Sequence, residues 1–453
     1  MNIIIVGCGK VGYALAEQLN DEGHEITIID KNDAVIRTVT SALDIIGVTG
    51  NGSSFRVQLE AGVDKADLLI AVTDKDEVNM LACLIAKKAG NCRTIARVRD
   101  PEYYEEINYI RDELGLSLSI NPEWAAAYEI AKLIQVPSAL ELDSFAKGRV
   151  NLVKVKVPID SVLDGIKLRD IPAKVGKDIL VCIVERRHEV IIPDGSCVLQ
   201  AGDAISIIMP LKNASQIYQK IGVSVKPIKN IMIAGGSTIA YYLAKILLNS
   251  KVRVKIIEKD SARCKQLSEI LPKASIINGD ATDKAVLLEE GIKKADAIAS
   301  LTDLDEENIL LSLYADKVSE AKIITKINKI AFEEVIGEMP VGSIICPKNL
   351  TAEQIIQYIR AKQNSFGSNV ETMYKMVDNK VEALEFKVGA HSKVINIPLE
   401  NLKLKDNLLL CCIFRNGTIK TPSGKDTIMP GDNVIVVTTH KGLKDIKDIL
   451  REG

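Results

Sequence analysis

The stretch IIIVGCGKVGYALAEQL, residues 3–19, returns as IMIAGGSTIAYYLAKIL at residues 231–247. In each, a short apolar run enters a glycine-rich turn and continues as an amphipathic helical pattern. Residues 60–79 match residues 289–308 in the same way. The spacing is 228 residues at the glycine turns and 229 from residue 50 onward, so one inserted residue separates two copies of about 225 residues. Such a long repeat indicates a duplicated multidomain unit, because solenoids repeat at much shorter periods.

The composition excludes several classes of protein. A chain of 453 residues has room for three or four domains, each with its own core. A net charge of −2 and a pI near 6.2 argue against nucleic-acid binding, since no basic field is present. The nine cysteines lack paired metal-ligand spacing, and the four histidines are far apart in sequence, so we expect reduced thiols and no metal site.

The start of the chain and its hydropathy favour a cytoplasmic protein. Met1 leads directly into a strand pattern, which leaves no room for a signal peptide. No apolar stretch approaches the roughly 20 residues that a membrane-spanning helix needs. We therefore expect a soluble chain in the cytoplasm.

Residues 1–137 alternate apolar strand patterns with helical patterns. The predicted strands cover residues 3–6, 26–29, 44–47, 68–72, 94–98 and 117–120. The predicted helices cover residues 11–22, 32–41, 53–61, 76–89 and 102–114, with a further helix at 123–135. Short β-branched runs that alternate with helices indicate a parallel sheet covered on both faces.

After Pro137 the pattern changes to β runs separated by turn signals, followed by a helical segment. The predicted strands cover residues 150–158, 179–186 and 204–210, and the helix covers 212–222. This predicts a small α+β domain, and the repeat predicts the same order again in the second copy. The predicted domains are residues 1–137, 138–222, 228–366 and 367–453, with a linker at 223–230.

The first glycine turn fits the pattern G-x-G-x-x-G. Its residues are Gly7, Cys8, Gly9, Lys10, Val11 and Gly12. The turn follows a strand, opens a helix and is followed by Asp30 at the end of the second strand, which together predict a dinucleotide site in a Rossmann-type sheet. The phosphates would meet free backbone amides at the helix N-terminus. Asp30 would bind a ribose diol and repel a 2′-phosphate, which favours NAD(H) over NADP(H).

Further polar residues follow neighbouring strands at the same edge, where open parallel sheets bind ligands. Thr73 and Asp74 follow the fourth predicted strand, and Asn51 follows the third. Arg97 and Arg99 lie at the end of the fifth predicted strand. We expect these residues to border the cofactor, although ordinary loop capping or structural ion pairs would also explain them.

The second copy keeps part of this pattern. Its predicted site consists of Gly235, Gly236, Ser237, Thr238, Ile239, Glu258, Asp280, Thr302 and Asp303. Serine replaces the second glycine of the motif at 237, where the backbone must approach phosphate, and Ala240 replaces the third. Lys326 stands where Arg97 does and lacks the bidentate guanidinium. The sequence therefore predicts a weakened or altered second site.

No acid–base or nucleophilic arrangement accompanies these turns. His188 stands in a hairpin turn, and no Ser-His-Asp or Cys-His pattern is present. A dehydrogenase needs a group that presents an acid or base to the nicotinamide. We expect a chain that is not an enzyme, with an NAD-dependent oxidoreductase as the alternative.

The combination of motifs resembles the peripheral NAD-binding subunits of Trk-type potassium uptake systems, which are tandem arrays of RCK, or KTN, modules. The resemblance spans the chain, and its best markers are GCGKVG, Asp30, GNGSS (50–54), the 65–87 segment and PDGSCVLQAGD (193–203). It implies two Rossmann-type doubly wound parallel sheets, each followed by a small α+β domain. The family's nucleotide contacts map onto residues 7–11, Asp30, Asn51, Thr73, Asp74 and Arg97.

The resemblance also implies a function. It implies a cytoplasmic regulatory subunit on the inner face of the membrane, which binds NAD or NADH, and ATP or ADP in related members. Its partner would be an integral-membrane potassium transporter subunit, and it would form a homo-oligomer, a dimer or tetramer ring. In that family the helix near residues 124–136 crosses to a partner sheet, so that two Rossmann domains interlock. A ligand sensor for another cation transporter remains an alternative.

Overall fold

The computed structural model describes most of the chain. The described residues are 1–90, 92–137, 139–146, 149–176, 179–187, 189–209, 214–222, 226–328, 336, 339–363, 369–377 and 380–451. The predicted turn residue His188 lies outside the described residues, as do parts of the predicted helix at 212–222 and of the linker at 223–230.

The first sheet contains six parallel strands in the order β3-β2-β1-β4-β5-β6. Its strands are β1 Asn2–Val6, β2 Glu25–Asp30, β3 Ile46–Thr49, β4 Leu68–Ala71, β5 Arg93–Arg97 and β6 Leu118–Ile120. Its helices are α1 Lys10–Asp21, α2 Asp33–Ala42, α3 Phe55–Glu60, α4 Asp76–Gly90, α5 Pro101–Ile110 and α6 Pro122–Gln135. The central strands are almost entirely buried, as their continuous apolar runs require.

Three predicted elements of residues 1–137 differ from the structure by two or more residues at an end. Strand β3 begins at Ile46, two residues later than predicted, after a turn closed by a hydrogen bond from Ile45 N to Leu43 O. Helix α3 begins only after Ser54, because the Asn51 side chain holds the preceding residues in a turn. Helix α5 ends at Ile110, and turns follow up to a glycine with positive φ, Gly115.

The first small sheet is antiparallel, in the order β10-β9-β11-β8-β7. Its strands are β7 Glu141–Phe145, β8 Val150–Lys156, β9 Leu180–Arg186, β10 Glu189–Ile191 and β11 Ala204–Ile208, and its helices are α7 Ile171–Lys174 and α8 Ala214–Lys220. The sequence analysis missed β7, whose sequence ELDSF lacks a clear apolar alternation, and the short edge strand β10.

The second copy repeats both sheets. The parallel sheet has the order β14-β13-β12-β15-β16-β17, and the antiparallel sheet has the order β18-β19-β22-β20-β21. The strands are β12 Asn230–Ala234, β13 Arg253–Glu258, β14 Ser275–Asn278, β15 Ala297–Ser300, β16 Lys322–Lys326, β17 Ser343–Ile345, β18 Val370–Met376, β19 Val381–Lys387, β20 Leu408–Arg415, β21 Thr418–Lys420 and β22 Asn433–Thr438. The helices are α9 Thr238–Asn249, α10 Ser261–Ile270, α11 Lys284–Glu289, α12 Asp305–Val318 and α13 Pro347–Gln363. The predicted fold class is confirmed.

Two crossing helices interlock the parallel sheets. Helix α6 leaves the first sheet and packs against α9 of the second copy, with Ile130 and Ile134 in one core with Ile233 and Leu243. Helix α13 leaves the second sheet and packs against α1, placing its isoleucines in the core of the first sheet. The sheet that α6 reaches is therefore the second copy within the same chain.

Polar contacts support this exchange. Asn121, which caps α6 by accepting from Trp124 N at 2.8 Å, also contacts the Tyr242 hydroxyl at 3.0 Å. Arg360 on α13 forms an ion pair with Glu22 at the end of α1. Each crossing helix is thus fixed to the opposite sheet by apolar burial and by a polar contact.

The two small sheets also pack on each other. Phe145 and Tyr374 meet edge to face, with ring centroids 5.0 Å apart. The backbone amide of Ala146 donates to Glu385 Oε2 at 3.0 Å. Cys182 and Cys411 lie in the shared apolar core, where both side chains are fully buried. The arrangement is therefore pseudo-symmetric: the two parallel sheets are joined by the crossing helices, and the two antiparallel sheets pack on each other.

Candidate nucleotide-binding sites

The first glycine turn is closely packed. Gly7 has φ +98°, a conformation that favours glycine, and a Cβ there would lie 2.9 Å from Thr73 N. A Cβ on Gly12 would lie 1.9 Å from the Gly7 carbonyl oxygen, so helix α1 approaches the turn too closely for a side chain. The turn is held to the sheet by a hydrogen bond of 2.8 Å from Gly7 N to Ile29 O. These two glycines have the roles that the motif predicts.

Helix α1 begins without a side-chain cap. Its N-cap residue is Gly9, and a Cβ added at Gly9 would meet no atom within 4 Å. Lys10 is exposed beside it, whereas Val11 packs into the core. The first turn of a helix carries unpaired amides and a partial positive charge, which attract anions. The space and the amides that a diphosphate needs are both present here.

Asp30 is oriented by the backbone of both neighbouring segments. Its Oδ2 accepts from Cys8 N at 2.8 Å, and its Oδ1 accepts from Asn32 N at 2.9 Å. Each carboxylate oxygen can accept further hydrogen bonds, so these contacts leave capacity for a diol. Burial and the nearby carboxylate raise the pKa of the Cys8 thiol to about 11, which keeps the thiol neutral beside the turn.

A buried asparagine joins the loops that follow β4 and β5. Asn79 accepts from Thr73 N at 2.8 Å and from Thr73 Oγ1 at 2.7 Å, and it donates to the carbonyl oxygens of Thr73 and Arg97. The sequence analysis missed this residue. Its signal was present, because the repeated segments end in Asn79 and Asn308, and Asn308 makes the same four contacts in the second copy.

Both predicted arginines have protein partners. Arg97 donates from Nη2 to Thr73 O, and burial, with the nearby Arg99 charge, lowers its pKa. Its Nε atom is buried and makes no hydrogen bond to the described residues. Arg99 donates to Glu123 Oε1 at 2.7 Å, and one oxygen of the buried Asp76 accepts from Arg99 N at 2.7 Å. The loop is thereby fixed with two cationic side chains at the edge of the sheet.

The remaining predicted residues of the first copy are more peripheral. The Asn51 side chain accepts from Ser53 N and Ser53 Oγ, at 3.2 and 3.0 Å, and so closes its own turn. Asp74 is exposed at the rim. Direct contacts connect the glycine turn to Asp30 through Cys8, and they connect Thr73 to Arg97. The Asp74 charge acts on Arg97 from the rim.

The second glycine turn keeps the carboxylate contact in a modified form. Gly235 has φ +98°, as Gly7 has. Glu258 accepts from Gly236 N at 2.6 Å and from Asp260 N at 2.7 Å. A Cβ at Gly236 would lie 3.0 Å from Glu258 Cγ and 2.8 Å from Leu267 Cδ1. The longer carboxylate side chain of this copy therefore occupies the space that Cys8 fills in the first.

Helix α9 differs from α1 at its N-cap residue. Ser237 is the N-cap, and its hydroxyl oxygen accepts from Ala240 N at 3.4 Å. A serine cap satisfies an amide that is free in the first copy. The serine thus competes with a phosphate for the helix N-terminus, in addition to the steric effect that the sequence predicts.

The other residues of the second copy follow their counterparts. Thr302 is held by Asn308, and Asp280 closes its own turn by accepting from Thr282, whose hydroxyl lowers the Asp280 pKa. Lys326 is 5% exposed, and burial lowers its pKa. Its Nζ lies 4.0 Å from the exposed Asp303. Replacement of arginine by this buried lysine leaves one compact cation at the second edge.

A cleft separates the loops after β4 and β5 from the start of α9. A cleft of about 480 Å³ is lined by residues 74–77, 99–101 and 103 of the first copy and by Thr238, the first residue of α9. Glu123, the partner of Arg99, and Lys10 both act electrostatically on Lys326. A ligand charge in either site would therefore be felt in the other. Within the described residues no cluster of His, Cys, Asp or Glu could hold a metal, and no helix is long and apolar enough to cross a membrane.

Comparison with known families supports the duplicated organisation. The TrkA-N domain matches residues 3–122 and 231–347, and the TrkA-C domain matches residues 152–222 and 383–451. The chain is 31% identical to the Trk system potassium uptake protein TrkA homolog of Archaeoglobus fulgidus, over 100% of both chains. It is also 31% identical to the Trk system potassium uptake protein TrkA of Haemophilus influenzae, over 99% of this chain and 98% of that one.

Solved structures show the same fold at low sequence identity. The GsuK RCK domain has a TM-score of 0.62 at 17% identity, covering 97% of this chain and 92% of that one. A structure described as the GsuK channel bound to NAD has a TM-score of 0.61 at 16% identity, covering 97% and 77%. The full-length matches and the repeated domain pairs lead to one conclusion: the chain belongs to the TrkA family of Trk-system potassium uptake proteins, a family of transport proteins rather than of enzymes.

Proposed function

We propose that this chain is the cytoplasmic regulatory subunit of a Trk-type potassium transporter, and that it binds NAD(H) at the first glycine turn. The observation that carries the proposal is the uncapped start of α1 beside an oriented Asp30. A diphosphate would bind to the free amides at Gly9 and Lys10, and Asp30 would bind the adenosine ribose. The A. fulgidus and H. influenzae relatives are named for potassium uptake, which suggests the transport role.

ADP and ATP are further candidate ligands, because they share the adenosine and diphosphate that these groups would recognise. Arg97 and Arg99 border the first site with positive charge, so ligands that differ in phosphate or nicotinamide charge would interact with them differently. A ligand shifts a conformational equilibrium only by its difference in affinity for the two states. Tenfold discrimination corresponds to about 1.4 kcal/mol, which one charge-assisted hydrogen bond can supply.

The cleft gives this discrimination a mechanical consequence. Ligands in the two sites would change the charge on either side of the space between residues 74–77 and Thr238. The crossing helices α6 and α13 would transmit a change in the angle between the parallel sheets to the small sheets that follow them. A homo-oligomeric ring on the inner face of the membrane would add such changes together and act on the membrane subunit.

The binding part of the proposal is tested by calorimetric titration of the full chain with NADH, NAD and ATP. We expect at least one site per chain, with a dissociation constant below the millimolar range. An absence of binding at millimolar NADH and ATP would refute it. The transport part is tested by potassium flux into liposomes that contain the cognate Trk membrane subunit, with and without the chain. Flux that is indifferent to the chain under every nucleotide condition would refute the regulatory role.

A further inference from the structure

Arg263 is a cationic side chain at the second glycine turn that the sequence motif does not predict. It lies in the first turn of α10 and donates from Nε to the Gly236 carbonyl oxygen at 2.7 Å. Its Nη1 donates to Gln266 Oε1 at 2.6 Å. The guanidinium thus lies against the backbone of the turn, and the residue is partly exposed. The corresponding residue of the first copy is Val35, which carries no charge.

The neighbours of Arg263 indicate which part of a bound nucleotide would approach it. Gly236 N donates to Glu258, so the arginine and the carboxylate hold opposite ends of the same peptide segment. Glu258 is the group proposed to hold the ribose, and the turn is proposed to hold the phosphates. Arg263 therefore lies against the turn one residue before Ser237, on the side of the turn that Glu258 holds. The structure shows no hydrogen bond from its Nη2 atom to a described residue.

The capped start of α9 increases the importance of this charge. Because Ser237 accepts from Ala240 N, the helix N-terminus offers less to a phosphate than α1 does. A guanidinium binds phosphate through charge-assisted, often bidentate hydrogen bonds, and their strength grows with the phosphate charge. The outer phosphate of ADP is not esterified to a second nucleoside, so ADP carries more negative charge than the diphosphate of NADH.

We propose that Arg263 is the phosphate-binding residue of the second site and makes that site select adenine mononucleotides such as ADP over NADH. This inference rests on the proposed function, in that the second turn must bind a nucleotide. It gives the two sites different preferences: the first recognises the diphosphate of NADH at an uncapped helix, and the second favours mononucleotides through a guanidinium.

The test uses the full chain with Asp30→Ala, which weakens the first site, and calorimetric titration with ADP and NADH. We expect ADP to bind the second site about tenfold more tightly than NADH. Adding Arg263→Ala should weaken ADP binding about tenfold and remove most of the preference for ADP over NADH. Arg263→Gln keeps a hydrogen-bond donor for the Gly236 carbonyl but carries no charge. It should lose as much ADP affinity as Arg263→Ala does. Lys265→Ala, the matched control, removes an exposed cation from the same helix and should leave both affinities unchanged.

The outcomes separate the two proposals. If the Asp30→Ala chain binds neither ADP nor NADH, the nucleotide-binding role of the second turn fails, and this inference fails with it. If that chain binds ADP and both Arg263 variants bind it equally well, the inference is overturned while the proposed function stands. If Arg263→Ala weakens ADP binding and NADH binding equally, and Arg263→Gln restores both affinities, Arg263 supports the turn and does not select the ligand. Thermal unfolding without nucleotide identifies any variant that fails to fold.

Discussion

The two copies of the chain share a scaffold and differ where a ligand would touch it. In the first, Cys8 and Asp30 stand together, Gly9 leaves the helix uncapped, and Gly12 packs on the turn. In the second, the corresponding pair is Gly236 and Glu258, with a serine cap on the helix. The asparagine that joins the following loops makes the same backbone and threonine contacts in both copies, although the residue at the end of the fifth strand changes from Arg97 to Lys326.

The paired differences show how such a site changes without collapse. Glu258 is one methylene longer than Asp30, and its extra atoms fill the space where a side chain at position 236 would stand. The longer acid and the missing side chain compensate each other, so the carboxylate still accepts from the turn amide. The contact between the carboxylate and the turn is thus common to both copies, whereas the groups at the helix N-terminus differ.

The largest expected effect comes from transferring the alanine of the second copy into the first. Gly12→Ala places a Cβ 1.9 Å from the Gly7 carbonyl oxygen and forces the helix and turn apart. We expect a loss of about 2 kcal/mol in the free energy of unfolding and about a thirtyfold loss of NADH affinity. Urea unfolding and titration measure both quantities.

The reverse change provides the control for that comparison. Ala240→Gly removes a buried methyl group and adds a glycine inside a helix, and each of these two changes should cost up to about 1 kcal/mol. A Gly12→Ala chain that unfolds and binds as the unmodified chain does would show that the close approach at the first turn has no consequence.

Asp30→Ala should weaken NADH at the first site by at least about tenfold, or 1.4 kcal/mol, because it removes the ribose acceptor and releases Cys8 N and Asn32 N. Glu258→Ala should leave that affinity unchanged and affect only the second site. Titration of both variants tests the assignment, and unchanged NADH affinity in Asp30→Ala would contradict the role given to the first turn.

The crossing helices differ as well, and the difference predicts a dependence on pH. Counted from the prolines that open α6 and α13, Tyr128 and Glu353 hold the same position. Tyr128 is exposed, whereas burial, with repulsion from Glu129 and Glu141, raises the pKa of Glu353 to about 7. The Arg360 charge acts on Glu353 and lowers its pKa, but Arg360 is paired with Glu22.

The direction of the effect follows from linkage. Between about pH 4.3, the usual glutamate pKa, and pH 7, the folded chain binds more protons than the unfolded chain, so stability falls as the pH rises through this range. Asp143 on β7 shifts in the same direction, through burial and repulsion from Glu141. Glu353→Gln should therefore raise the free energy of unfolding at pH 8 by about 1 kcal/mol and change it little at pH 5. Chemical denaturation at both pH values measures this, and an equal effect at both would contradict it.

The smallest effect is expected at the helix cap. Ser237→Gly removes the hydroxyl that accepts from Ala240 N and should strengthen nucleotide binding at the second site about threefold, while costing a few tenths of a kcal/mol in stability. Binding stoichiometry and affinity by equilibrium dialysis in the Asp30→Ala background measure the change. Weaker binding would mean that the serine hydroxyl helps to hold the ligand.

The sequence predicts the parallel sheets well, because their signals are local. Apolar runs, a glycine turn and capping residues specify β1 and α1 without reference to distant segments. Strand β7 was missed because its register is set by pairing with β8, which periodicity in ELDSF does not show. The four domain boundaries and the identity of the ligand contacts remain predictions.

The features that differ between the two sites could be found only from the structure. Arg263 approaches Gly236 only because α10 packs beside the turn, and no motif spacing relates these two residues. The destination of α6 is also a tertiary property: a run of alanines and isoleucines shows that the helix is buried but not which sheet it covers. Asn79 could have been found, since it recurs at the same place in the second copy.

The exchange of α6 and α13 within one polypeptide has a consequence for how the assembly responds to dilution. Two separate chains that interlocked in this way would dissociate at low protein concentration. When one polypeptide joins the halves, the effective concentration of one half at the other stays in the millimolar range. The pair is thus complete in every molecule synthesised, however scarce. A fused pair can also specialise its halves, because a mutation in one is never copied automatically into the other.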